Sequence, residues 1–288
     1  MSYSVGARYL ELLTEGDLAW VARVAQREGE EAASAAWWRT HPDRLEHWVA
    51  HPALFRALFA EGGADLERSL SPFLLFLAVV HRTAADLRDA SAVQEWVGPR
   101  QRVFVFDVEP LRAFLASAER RLFLAELLAS YTHVTSGAVR VRTRRGWRRQ
   151  RVSELDPVQL AALLDVVPEA ERVWVFRRLG DLSLFLAGVF PDHVTRYPPL
   201  DARGRTRLGR ILGLAPDGIP TDDVVRFLEQ LGRRCYEAAL RLAPVLSAGL
   251  GPLAEVAREF AAARRVLNVA VDRYILPQRY RWFPNWSA

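Results

Sequence analysis

Lysine is absent: all 39 basic residues of this 288-residue chain are arginine. Isoleucine (Ile211, Ile219, Ile275) and asparagine (Asn268, Asn285) are almost absent too. These three amino acids have AT-rich codons, so the expectation is a bacterial, GC-rich genome, and no single arginine is to be read as chosen over lysine. Cysteine occurs once, at Cys235, which excludes an intramolecular disulfide and a thiolate zinc site and fits a reducing, cytoplasmic compartment. Long apolar runs are missing. The longest, Pro72–Val80 and Leu182–Phe190, fall far below the roughly 20 residues needed to cross a bilayer, and read as buried helix segments. The first eight residues lack a basic stretch followed by an apolar core, so no signal peptide is expected.

Several chemical signatures are missing as well. There is no Gly-x-Ser-x-Gly elbow, no P-loop and no Glu-x-x-His ligand pair. Residues Gly249 to Ala254 match a loose dinucleotide fingerprint, but what precedes them is helical rather than a strand, so they read as an interhelical turn. His41, His47 and His51 lie among Trp37, Trp38 and Trp48. His51 precedes Pro52, which pushes it out of the α region and away from a shared helix turn with His47. No metal site and no cofactor is expected.

What is present is a globular composition, half hydrophobic and a quarter charged. Helix follows helix. Tyr9, Leu12 and Leu13 begin an apolar stripe that Leu18, Val21, Val24 and Ala25 repeat. Prolines after His41, His51, Ser71 and Asp156 mark helix starts, and Pro168 and Pro252 open later helices. The strongest helical pattern runs unbroken from Glu109 to Tyr131. Thr221-Asp222 is expected to cap a helix ending near Leu242, and Val103–Phe106 is a short β-prone run. The fold class is therefore mainly α: a multi-helix, bundle-like domain over 1–288 with one projecting two-stranded β-hairpin. That hairpin occupies 137–153, an irregular loop with a short helix near Arg205–Leu212 occupies 191–220, and an aromatic-basic tail occupies 277–288.

The hairpin concentrates the charge. Between Gly137 and Ser153 there are seven arginines and no acidic residue, a local charge of +7; the whole chain carries +5, so the remainder is −2. A turn at Arg145-Gly146 would set Arg144 opposite Trp147, Arg142 opposite Arg149 and Arg140 opposite Arg151, all on one side. Arginine forks suit phosphates and a tryptophan between them suits a base. This points to a non-enzymatic accessory protein holding nucleic acid or another polyanion through Arg140, Arg142, Arg144, Trp147, Arg149 and Arg151. One alternative is a helical protein-interaction module whose hairpin meets an acidic protein surface. Another is a small-molecule enzyme with a pocket between helices, drawing on the polar residues His81, Arg82, His133, Arg178, Asp181 and Tyr236 within or beside apolar helices. No recognised catalytic motif supports that last reading.

Overall fold

Local chemistry sets most helix starts in the computed structural model. It describes residues 5–59, 70–132, 136–143, 146–196, 201–211, 213, 223–243 and 251–276, with only the backbone described for 136–143, 146–152 and 211. After α1 (Val5–Leu12), the Thr14 hydroxyl accepts the Asp17 amide while the Asp17 carboxylate accepts the Thr14 amide, a capping box that opens α2 (Glu15–Arg27). Ser34 caps α3 (Ala35–Thr40), and prolines open α4 (Pro42–Val49) and α5 (Pro52–Phe59) at the two His-Pro steps. The Ser71 hydroxyl accepts the Leu74 amide at the start of α6 (Pro72–Asp89). There follow β1 (Val93–Gly98), β2 (Gln101–Val105), α7 (Glu109–Ala116), α8 (Ala118–Ser130), β3 (Ser136–Thr143) and β4 (Gly146–Ser153). Asp156 caps α9 (Pro157–Ala161), and two 3-10 turns (Ala162–Asp165 and Glu169–Glu171) lead to α10 (Arg172–Val189). The order closes with α11 (Pro191–Arg196), α12 (Ala202–Ile211), α13 (Val224–Leu242), α14 (Leu253–Arg258) and α15 (Phe260–Ala270), the last running into a π-helical turn at Val271–Ile275.

The protein is mainly α, as its sequence indicates, but the described residues hold two antiparallel two-stranded hairpins, β1–β2 and β3–β4, where one is expected. β1 is the strand that reading missed. Its partner Val103–Val105 stands out by composition, whereas Val93–Gly98 alternates only weakly, and the Pro99-Arg100 turn between them holds Arg100 at φ 58°.

Two other departures share one cause, a local break inside a continuous apolar pattern. The stretch expected as one helix from Glu109 to Tyr131 splits at Ser117, which is extended (φ −77°, ψ 126°) and offers its hydroxyl to the Arg120 amide. Arg120 then donates to the Ala113 carbonyl at 2.6 Å, and Arg121 to the Leu115 and Ala116 carbonyls at 2.6 and 3.1 Å. These bonds satisfy the orphan carbonyls at the end of α7, so the break leaves fewer polar groups bare. The last helical stretch likewise divides at Glu259. Helix α12 lies where a short helix near Arg205–Leu212 is expected, α11 occupies part of the segment expected as loop, and α13 is capped by Asp223 rather than by Thr221-Asp222.

The chain forms two compact units. The described residues of the first fall within 1–91, 108–132 and 273–284, those of the second within 92–107, 133–272 and 285–288. In the first unit α6 is the central helix, buried continuously from Phe73 to His81, and α8 packs along it. Trp38 is fully buried, its indole N–H donating to the Leu18 carbonyl at 3.2 Å. Asp17 ties two helix starts together, since its second carboxylate oxygen accepts the Ser71 amide at 2.9 Å. In the second unit α10 packs along α13, with α15 against both. Gly180 on α10 lies directly under the Tyr236 ring of α13, a contact that leaves no room for a β-carbon.

Candidate functional site

The arginine hairpin is described through its backbone. Arg140 pairs with Arg149, Arg142 with Trp147 and Ala138 with Arg151, and the ladder closes on Thr143 opposite Gly146. This register is displaced from the expected one, so the pairings Arg144–Trp147, Arg142–Arg149 and Arg140–Arg151 are corrected. Residues 144 and 145 lie between the closing pair and outside the described residues. The displacement is by two positions, and hydrophobic alternation cannot distinguish registers that differ by two because both keep the same faces. Positions 140, 142, 147, 149 and 151 accordingly stay in one alternating set. β4 is tied down where it ends: the Ser153 amide donates to the Gln159 side chain at 3.1 Å, and Asp156 holds Val158 and Gln159 through their amides at the start of α9.

The polar residues singled out in the sequence fall into separate groups. His81 and Arg82 belong to the first unit, Arg178, Asp181 and Tyr236 to the second, and His133 lies outside the described residues. His81 is buried, with Nε2 3.2 Å from the Tyr9 hydroxyl. Burial, helped by the positive charge of Arg121, holds its pKa down at about 3, so the imidazole is neutral. Arg82 is in an ion-pair cluster with Asp86 (3.0 Å), where Arg273 and the Tyr274 hydroxyl also meet the carboxylate. In the second unit the Tyr236 hydroxyl donates to Asp181 at 2.8 Å, and Arg178 donates to Glu154 at 2.8 Å. Cys235 is buried, which pushes its thiol up and leaves it a packing residue. His47 and His51 lie on either side of the α4–α5 junction with ring centres 5.9 Å apart.

Another charged network escaped the sequence reading. Asp192, at the start of α11, accepts the Trp96 indole N–H at 2.8 Å, the Arg100 amide at 2.9 Å and Arg102 at 3.4 Å. Arg102 also forks onto Asp272 at 2.7 and 3.1 Å. Burial alone would raise the Asp192 pKa, but the amide and indole donors and Arg102 outweigh it and hold the carboxyl low. On the far strand side Arg265 donates to Glu95 at 2.6 Å and to the Asp107 carbonyl at 2.7 Å. The partners are 90 to 170 residues apart in sequence, which no local pattern announces. This clamp fixes the β1–β2 hairpin while leaving Phe104 (67% exposed) and Phe106 (77%) facing solvent. No known family, curated protein or solved structure matches the chain.

Proposed function

We propose that this protein is a non-enzymatic accessory factor that binds nucleic acid, or a comparable polyanion, through the β3–β4 hairpin. The observation that carries the reading is the register, which sets Arg140 directly opposite Arg149 in a ladder without a single acidic residue. Like charges paired across a hairpin cost about 0.2–1 kcal/mol each, and an anionic partner offsets that cost. The rest of the chain, at −2, supplies no general attraction for a polyanion, so the hairpin is where attraction concentrates. Arg140, Arg142, Arg149 and Arg151 are assigned to phosphates and Trp147 to a base, with Arg144 beside them in sequence.

Filter binding of a single-stranded oligonucleotide tests this. With four phosphates neutralised, log affinity should fall against log salt with a slope of about −3. The variant carrying Arg142→Glu and Arg149→Glu should lose most binding at every salt concentration. Equal retention by wild type and variant overturns the reading. A second reading, docking onto an acidic protein surface, draws support from the exposed Phe104 and Phe106 in the same unit. It predicts a protein partner that stays bound after nuclease treatment and is lost with the same double variant.

A further inference from the structure

The first unit contains a cleft of about 480 Å³ between α6 and α7, within the range of small-ligand sites. Each helix contributes one face to it: His81, Ala84, Ala85 and Arg88 recur at i, i+3, i+4 and i+7 on α6, and Glu109, Arg112, Ala113 and Ala116 do so on α7. Alanine at the facing positions is what leaves the space open. The charge around it is lopsided, with three arginines against one glutamate and a neutral imidazole.

Two of the three cations, Arg112 and Arg121, are held rather than free to swing away. Arg112 donates to the Leu87 and Ala90 carbonyls at 2.8 and 2.6 Å and meets Glu109 at 3.3 Å, so its donors are used in closing α6. Arg121, entering from α8, is pinned through Nη1 to the end of α7; its Nε is buried with no partner, and Nη2 makes no bond among the described residues. Arg88 is exposed at the rim and has no carboxylate partner among the described residues. His81 uses Nε2 on Tyr9, and with the tyrosine as donor the proton resides on Nδ1, the nitrogen left for the cleft.

We propose that this cleft binds a small phosphate monoester. Arg88 and the Nη2 edge of Arg121 take phosphoryl oxygens, His81 Nδ1–H donates to a third, and the organic body lies over the alanine faces. A phosphoryl dianion matches the surplus of two positive charges, which a single carboxylate would leave half uncompensated. This site is independent of the hairpin, which belongs to the other unit.

Calorimetric titration of the full chain with phenyl phosphate, and with benzoate as the carboxylate control, tests the assignment. Phenyl phosphate should bind at least about tenfold more tightly than benzoate, and Arg88→Ala should weaken it by about tenfold. Ala113→Phe fills the cleft without removing a charge and should abolish binding. The Arg142→Glu, Arg149→Glu variant should retain wild-type affinity for phenyl phosphate, which separates this site from the hairpin. Because Arg88 is exposed and its side chain makes no bond among the described residues, Arg88→Ala decides the matter even where Ala113→Phe fails to fold. The proposal is overturned by any of four results: no heat from phenyl phosphate, equal binding of benzoate, undiminished binding by Arg88→Ala, or loss in the hairpin variant alone.

Discussion

Burial governs the protonation of His81. In the unfolded chain an imidazole takes up a proton near pH 6.5, whereas in the folded protein it resists until about pH 3. Between those values the unfolded state binds the extra proton, so stability rises with pH across the window and is lost as the pH falls through it. The surrounding groups reinforce this: Arg121 from α8 repels a second positive charge, and Tyr9 from α1, itself held protonated chiefly by burial and next by Glu46, supplies only a neutral hydroxyl. Urea unfolding at pH 7 and pH 5 should show a loss of about 2 kcal/mol from this residue. His81→Gln, which can still accept from Tyr9, should remove that part of the pH dependence. Identical pH profiles for wild type and variant would show that burial does not act on His81 in this way.

At the scale of elements, the helix starts marked by proline were legible in the sequence and helix junctions were not. Proline and the capping residues before it act within three or four residues of themselves, so the helices opening at Pro42, Pro52, Pro72 and Pro157 start where their local chemistry directs. The break at Ser117 depends on Arg120 and Arg121 reaching back to carbonyls of the previous helix, and the apolar periodicity runs through it unchanged. Asp17 shows the same division in one side chain. Its bond to Thr14 belongs to a local capping box, while its bond to Ser71, 54 residues on, joins α2 to α6. Asp17→Ala leaves both amides without that acceptor and should cost roughly 2–4 kcal/mol in chemical denaturation. A loss under 1 kcal/mol would mean that other acceptors replace the carboxylate.

At the scale of the molecule, the two units make a prediction about additivity. Gly180→Ala presses a β-carbon into the Tyr236 ring and should cost about 1–3 kcal/mol. Asp17 and Gly180 belong to different units and share no bonding partner, so the double variant should lose the sum of the two single losses to within about 0.5 kcal/mol. A larger deviation would reveal energetic coupling between the units. The sequence by itself determined the mainly α class, the helix starts marked by proline and the concentration of positive charge in one hairpin, because composition, capping and alternation act over a few residues. Tertiary structure alone decided the hairpin's register, the clamp of Arg102 and Arg265 on β1–β2, and the gathering of Arg88, Arg112 and Arg121 around one cleft. Each of these depends on partners or packing from other parts of the chain, or on a choice between registers that present the same faces.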